Sequence, residues 1–220
     1  MIPKRSITTE DYIKAIFRLQ RSGGKVTTSA LAGQLQVTDA SITGMIKKLS
    51  GRGFLHYERY RGVGLTPMGK RMALRIVRRH RLWEMYLVKF LGFSWDQVHD
   101  EAERLEHMTS EELEGRLDRA LGFPRSDPHG DPIPTVEGEF DLRNHPALTE
   151  CKCGDVVRVL RVSDDDAGLL QHATRLGVGL HKKVTVREKR EFDGSMVIKV
   201  GPREHVISRQ MAKAIFVEFV

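Results

Sequence analysis

The strongest constraint on the fold of this 220-residue chain is a change of hydrophobic period near Thr149. In the first part of the chain apolar residues recur three or four positions apart, as at Tyr12, Ile16 and Leu19, which is typical of amphipathic helices. After Thr149 apolar and polar residues alternate, which is typical of strands. Residues 124–146 between these parts concentrate Pro, Gly and Asp. We therefore expect a multi-domain α+β protein with a helical part, a linker and a separate β-domain.

Residues 1–72 are predicted to form a winged helix-turn-helix domain. Helical spacing predicts one helix over 9–19. Capping candidates in Thr27–Ser29, and at Thr38 or Asp39, predict two short helices joined by a turn. Two helices joined this tightly match a helix-turn-helix, whose second helix enters the major groove of DNA. A strand over 54–58, a Gly-rich turn and a brief return strand then predict the wing.

The charge balance favours a polyanionic partner. The formal net charge is +7, the sequence pI is about 9.5, and basic residues concentrate between Lys47 and Arg81. An anionic membrane surface would also fit this balance, but the basic residues flank the predicted helix-turn-helix. No apolar run approaches the ~20 residues needed to cross a bilayer, and the first residues are unlike a secretion signal. We therefore expect a cytoplasmic protein that binds double-stranded DNA, with no membrane partner.

The third predicted helix offers two kinds of DNA contact. Small side chains at its start reach base edges or thymine methyl groups, whereas cations suit phosphates, which position a protein without specifying a sequence. The alternative for the cations is a solvated basic face. The predicted base-edge residues are Thr38, Ala40, Ser41 and Thr43, and the predicted phosphate residues are Lys47, Lys48 and Arg59.

Residues 73–123 are predicted to form a helical domain that carries a metal site. On a helix predicted over Trp95–Met108, four metal-competent side chains fall in one stripe beside an apolar face, at about 100° of rotation per residue. Spacings of three and four make such side chains converge, although a solvated acidic face is the alternative. Asp11 is a further ligand candidate, but Thr8-x-x-Asp11 also matches a capping box and the pattern does not decide between the two. The four side chains are His99, Glu103, Glu106 and His107.

The long helix predicted from Pro67 to Leu91 carries two polar residues in an otherwise apolar line, His80 and Glu84. A buried glutamate without a partner is costly or becomes neutral. A divalent cation shared with His80 and His99 would compensate Glu84, and a buried His–Glu hydrogen bond is the alternative.

The chemical type of the candidate ligands indicates which metal ion the site would prefer. Carboxylates and imidazoles without thiolate or thioether suit Mn²⁺ or Fe²⁺. Cys151 and Cys153 lack the further ligands of a zinc site, so we expect two reduced surface thiols.

Residues 124–149 are predicted to be a linker with a restricted backbone, and residues 150–220 a small five-stranded barrel. Asp193-Gly194 is a hairpin signal inside the barrel. The alternating runs begin at Val156, Lys183, Met196, His205 and Ala214.

Four segments resemble the diphtheria toxin repressor family of metal-dependent regulators, and within it the manganese transport regulators. Their order and spacing match over nearly the whole chain. The resemblance implies a winged-helix domain, a helical dimerisation and metal domain, and a C-terminal SH3-like domain related to ferrous transport protein A. The segments are Thr8–Tyr12, Arg79–Glu84, Val98–His107 and Gly130–Pro134.

The resemblance also implies two metal sites. Iron-responsive relatives place Met and Cys where this chain has Asp11 and Glu103, which favours manganese. Lys14 stands where some manganese regulators have a second acidic residue, which argues against a bridged two-metal cluster. The implied activating site is Asp11, Glu103, Glu106 and His107, and the implied ancillary site is His80, Glu84 and His99, with Asp164 or Asp165 as further ligands.

These features predict a manganese-activated dimer that binds operator DNA, with no small-molecule substrate. The resemblance implies that it is a repressor and controls metal-uptake genes. Three alternatives stay open: an iron-responsive repressor of the same family, a metal-dependent hydrolase, and a winged-helix regulator that needs no metal. The dimer contacts are predicted at Leu87, Phe90, Leu91 and Phe93.

Overall fold

The computed structural model describes residues 8–21, 23, 26–58, 62–139 and 145–220. They form two compact units, each assembled from segments that are distant in the sequence. Unit 1 comprises Met1–His80, Glu106–Thr109 and Pro134–Phe140, and unit 2 comprises Arg81–Leu105, Ser110–Ile133 and Asp141–Val220.

The first part of unit 1 contains the predicted helix-turn-helix. The Thr27 side chain accepts a hydrogen bond from the Ala30 amide and the Thr38 side chain one from the Ser41 amide, so Thr27 and Thr38 are the capping residues among the predicted candidates. Between the two capped helices, Gln36 adopts a left-handed conformation that turns the chain sharply. The three helices are α1 (Thr9–Arg21), α2 (Thr28–Leu35) and α3 (Asp39–Gly51).

The wing is a two-stranded antiparallel hairpin, β1 (Leu55–Glu58) and β2 (Gly62–Leu65). The Val63 amide also donates to the Val26 carbonyl at 3.2 Å, which fastens the hairpin to the segment before α2. Apolar side chains from the three helices and the hairpin share one core, which sets the orientation of α3. Its fully buried members include Ile13, Ile16, Leu31, Ile42 and Leu49.

The helical middle of the chain agrees with its predicted pattern, with one difference. Ser110 caps the last helix of this part, accepting from the Leu113 amide. The helix predicted over Trp95–Met108 is shorter, because its first three residues form a turn and its last three a 3-10 turn. The elements are α4 (Pro67–Leu91), α5 (Val98–Leu105), the 3-10 turn Glu106–Met108 and α6 (Glu111–Leu121).

The C-terminal part of unit 2 is a five-stranded antiparallel sheet in the order β6-β5-β4-β3-β7. All five predicted strands are present, and β4 pairs with β5 across the predicted Asp193-Gly194 turn. Two helices that the alternating pattern did not predict, α7 (Ala167–Leu176) and α8 (Arg209–Ala214), accompany the sheet. The strands are β3 (Val156–Val162), β4 (Lys183–Lys189), β5 (Met196–Val200), β6 (Arg203–Ile207) and β7 (Ile215–Phe219).

The prediction of two surface thiols is wrong for Cys151, which is fully buried in the core of the sheet, whereas Cys153 is exposed. In the parts of the chain that the structure describes, no helix has both the length and the apolar character required to span a bilayer.

Candidate metal centres

In unit 1, the start of α1 and the 3-10 turn bring together three side chains of the predicted activating site. The Nε2 atom of His107 lies 2.9 Å from Asp11 Oδ1 and 3.3 Å from Glu106 Oε1. Its Nδ1 atom lies 2.5 Å from Glu10 Oε2. Asp11 and Glu106 are buried and His107 is half-buried, so the cluster has little contact with bulk water.

The charges of this cluster are strongly coupled. Burial disfavours the ionised form of Asp11, but hydrogen bonds from His107 and Thr8 outweigh it and hold the pKa of Asp11 well below its usual range. Burial likewise disfavours the cationic form of His107, but Asp11, Glu10 and Glu106 raise the pKa of His107 to about 9. His107 is therefore an imidazolium at neutral pH. Because metal ligands must be deprotonated, a cation that binds His107 must displace this proton.

The two oxygens of Asp11 have different partners, so both interpretations that the sequence left open have structural support. Its Oδ2 accepts hydrogen bonds from the Thr8 amide at 2.6 Å and the Thr8 hydroxyl at 2.9 Å, which is the capping contact at the start of α1. Its Oδ1 faces His107. The carboxylate thus links the first turn of α1 to the 3-10 turn.

Lys14 and His80 lie on the other side of Glu106. The Lys14 ammonium donates to both carboxylate oxygens of Glu106, at 2.8 and 2.7 Å. The Nδ1 atom of His80 lies 2.5 Å from Glu106 Oε2 and 3.2 Å from Lys14 Nζ. All three side chains are buried. His80, predicted as an ancillary ligand, therefore contacts Glu106 of the predicted activating site.

The remaining predicted ligands lie in unit 2. Glu103 is half-buried on α5, three residues before Glu106 in the sequence. The side chain of Glu84 is buried on α4, and its Oε1 lies 3.5 Å from His99 Nδ1. Asp164 joins this pair, with one ligand atom from each residue within 4.8 Å of the others. Asp165 is exposed and accepts a hydrogen bond from the Ser163 hydroxyl instead.

A second triad in unit 2 includes two residues that the sequence analysis assigned to the linker. Glu84, Asp127 and His129 each offer a ligand atom within 4.8 Å of the others, and all three are buried. The Nε2 atom of His129 donates to the Trp95 carbonyl at 2.7 Å. In the neutral ring this leaves the lone pair on Nδ1, which is buried, has no hydrogen-bond partner among the described residues, and lies 3.8 Å from Asp127 Oδ1. A backbone carbonyl that fixes the tautomer in this way is a common support of metal-binding histidines.

The electrostatics of this triad fit a cation. Burial raises the pKa of Asp127 well above its usual value, and the charge of Glu84 raises it further, although Arg81 opposes the shift. Burial disfavours the charged form of His129, but Asp127 and Glu84 raise its pKa. Two buried carboxylates and a buried imidazole therefore form a set of donors that a divalent cation would compensate.

The loop around Asp127 is held rigidly. Its Oδ1 accepts from the amides of His129 at 2.8 Å and Asp131 at 2.9 Å, and its Oδ2 lies 3.4 Å from Arg81 Nε. At Gly130 a β-carbon would lie 2.0 Å from the Leu160 carbonyl, so only glycine permits this approach to β3. The sequence signal that could have indicated this site is the pair Asp127 and His129, two residues apart and next to Gly130.

The predicted DNA-contacting residues lie on α3. Ile42, Ile46 and Leu49 are buried on one side of this helix. Thr38 is its N-cap, and its hydroxyl lies 3.0 Å from that of Ser41. Arg59 lies outside the described residues. The predicted residues that α3 exposes are Ala40, Ser41, Thr43, Lys47 and Lys48.

The predicted dimer contacts differ in exposure. Leu87 is buried in a cluster with Val98 and Ala102, and so it belongs to the core of unit 2. Phe90 and Leu91 at the end of α4 and Phe93 just after it are exposed, and we call these three residues the apolar end of α4.

Comparison with known proteins identifies the family. Domain models match residues 5–63 (iron dependent repressor, N-terminal DNA binding domain), 66–135 (iron dependent repressor, metal binding and dimerisation domain) and 147–219 (FeoA domain). The iron-dependent repressor IdeR of Mycobacterium leprae is 32% identical, over 97% of this chain and 97% of its own length. The chain belongs to the iron-dependent repressor family. The diphtheria toxin repressor of Corynebacterium diphtheriae is 32% identical to this repressor, over 64% of this chain and 62% of its own length.

Solved structures extend this likeness to the fold of the repressor. A manganese-dependent transcriptional repressor in complex with manganese matches with a TM-score of 0.89 at 38% identity, covering 97% of this chain and 100% of that one. ScaR with bound Cd²⁺ matches with a TM-score of 0.83 at 32% identity, covering 97% and 100%. The predicted three-part organisation is confirmed. The family is one of metal-dependent transcriptional repressors, so the hydrolase alternative is excluded.

Proposed function

We propose that this repressor is activated by Mn²⁺, binds operator DNA as a homodimer in the cytoplasm, and controls metal-uptake genes. The observation that carries the proposal is the joining of α1 to the 3-10 turn through Asp11, Glu106 and His107. Carboxylates and imidazole suit Mn²⁺ or Fe²⁺, and Asp11 offers a hard oxygen. A similar repressor has been solved with manganese.

The activating site would consist of Asp11, Glu106 and His107, with Glu103 as a fourth ligand one helical turn before Glu106. A bound divalent cation supplies positive charge that offsets the repulsion among these carboxylates. Asp11 also caps α1, so its position depends on both the helix start and the site. Because α1 shares its core with α3, fixing α1 favours one orientation of the recognition helix.

A second cation site would lie in unit 2 on Glu84, Asp127 and His129, with His99 and Asp164 beside it. This proposal changes the predicted ancillary set. His80 contacts Glu106 and Lys14, and Asp127 and His129 supply a carboxylate and an oriented imidazole. Its role would be to stabilise the native state, since a ligand that binds only the folded chain raises stability.

DNA recognition would use the exposed side of α3, and dimerisation the apolar end of α4. Thr38, Ala40, Ser41 and Thr43 would face bases, while Lys47, Lys48 and Arg59 would contact phosphates. Phe90, Leu91 and Phe93 would pack against the partner subunit, because exposed apolar clusters mark interaction surfaces.

The function is tested by titrating operator binding with metal ions. An operator is first selected from random duplexes in the presence of Mn²⁺, and its affinity is then measured with Mn²⁺, with Fe²⁺ under anaerobic conditions, and with Zn²⁺. We expect Mn²⁺ at micromolar concentration to tighten binding by about 5- to 150-fold, the usual range for coupling between two sites. Full affinity in chelator would instead support a regulator that needs no metal, and activation by Fe²⁺ alone would support the iron-responsive alternative.

Ion preference is predicted to follow ligand softness. Replacing Asp11 with Met and Glu103 with Cys introduces a thioether and a thiolate, which favour softer ions. We expect the ratio of Fe²⁺ to Mn²⁺ activation, measured by operator binding, to rise about tenfold, a shift of about 1.4 kcal/mol. A Lys70→Met and Cys153→Ser variant, changed at exposed positions, controls for general effects. An unchanged ratio would contradict the ligand argument.

A further inference from the structure

A buried lysine lies at the centre of unit 1. Lys14 is 3% exposed, and its ammonium donates to both oxygens of a Glu106 side chain that is 0% exposed. His80, also 3% exposed, lies within 3.2 Å of the same ammonium. A lysine is rarely buried this deeply unless it is paired, because removing its charge from water is costly.

The position of this ammonium resembles that of a bound cation. It is surrounded by two carboxylate oxygens and an imidazole nitrogen, which are the atom types that hold Mn²⁺ or Fe²⁺. The charge on Glu106 is compensated from this side by Lys14. Glu106 Oε1, which accepts from Lys14, also lies 3.3 Å from His107 Nε2 of the proposed activating site. Glu106 therefore lies between one built-in cation and one place for a metal ion.

A second metal ion on the Lys14 side would meet strong repulsion. The ammonium already occupies the space beside Glu106 and His80, and like charges at such short range repel strongly in a poorly solvated interior. The same ammonium also holds α1 to the 3-10 turn by an ion pair that needs no metal.

We propose that Lys14 is a built-in counter-ion that takes the place of a second cation beside Glu106 and His80. It thereby limits unit 1 to a single metal ion and keeps α1 attached to the 3-10 turn before that ion binds. This proposal rests on the proposed activating site and adds that the site holds one metal ion per chain.

The test counts metal ions in full-length protein. An Asp127→Ala, His129→Ala background removes the proposed site of unit 2, and Lys14→Glu is then added. Lys14→Glu places a third donor beside Glu106 and His80, so we expect bound Mn²⁺ to rise from one to two ions per chain after equilibrium dialysis. Because the two ions would share Glu106, their electron paramagnetic resonance spectrum should show magnetic coupling. Lys70→Glu, an exposed change of equal charge on α4, should leave one ion.

The outcomes separate this inference from the proposed function. One ion both with and without Lys14→Glu overturns the inference alone. No bound ion in the background protein overturns the activating site and the inference with it.

A second variant measures the counter-ion role without added metal. Lys14→Met keeps the length of the side chain and removes its charge, which breaks the buried ion pair between Lys14 and Glu106. We expect the Tm in chelator to fall by about 10 °C, since breaking one partner of a buried pair is strongly destabilising. A Lys70→Met control should stay within about 1–2 °C of wild type, as exposed changes usually do. An unchanged Tm in Lys14→Met would overturn the proposal.

Discussion

Replacing His107 with alanine is expected to abolish the stimulation of operator binding by Mn²⁺. His107 is the side chain that faces Asp11, Glu106 and Glu10 at once, so its loss removes the imidazole that joins these carboxylates, while the Lys14–Glu106 ion pair still connects α1 to the 3-10 turn. We expect the whole stimulation, about 5- to 150-fold, to disappear, while binding in chelator changes little. The measurement is fluorescence anisotropy of labelled operator with and without Mn²⁺.

The matched control for this prediction is His172→Ala, which removes an exposed imidazole from α7. This control should keep the full response to Mn²⁺. Circular dichroism and a melting curve of His107→Ala in chelator establish that the variant is folded. A wild-type response to Mn²⁺ in folded His107→Ala protein would refute the proposed activating site.

The second large effect concerns unit 2. In a Glu103→Ala background, which weakens the activating site, we expect Mn²⁺ still to bind at one ion per chain and to raise the Tm. Saturation at a hundred times Kd contributes about 2.7 kcal/mol of stability, which corresponds to a rise of about 5–10 °C for a chain of this size. Adding His129→Ala should remove both the ion and the rise, because Nδ1 of His129 faces Asp127 inside the triad.

His80→Ala in the same background distinguishes the two assignments of the ancillary site. Since His80 contacts Glu106 and Lys14, we expect His80→Ala to keep the ion of unit 2 and its thermal shift. Calorimetry and metal analysis of the three proteins provide the comparison. If His80→Ala loses that ion and His129→Ala keeps it, the set predicted from the sequence is correct and the set proposed from the structure is wrong.

Local patterns predicted the helices and strands well. The long helix α4 has the predicted limits because Pro67 and Gly92 mark its ends, and the strands of the C-terminal sheet follow their alternating apolar residues. The short helices α7 and α8 were missed. Their caps, Asp166 and Ser208, are local signals, but segments of ten and six residues show little periodicity beside stronger strand patterns.

The candidate sites were less accessible to sequence reasoning. The i, i+4 spacing of His80 and Glu84 places both on one side of α4 but does not determine which segment covers each of them. Asp127 and His129 lie in a segment without hydrophobic period, and their role depends on Gly130 approaching β3. The family resemblance drew attention to Lys14, but its pairing with a glutamate 92 positions away is visible only in the fold.

The two carboxylate oxygens of Asp11 have different partners, and this affects how the sequence of this family member can evolve. One oxygen caps the start of α1 and the other faces His107, so substitution of Asp11 is constrained by both contacts. Asparagine would preserve a cap but bring no charge to His107, and glutamate would displace both oxygens by a methylene. We therefore expect substitutions that change the ion preference to occur at the neighbouring ligands before they occur at Asp11.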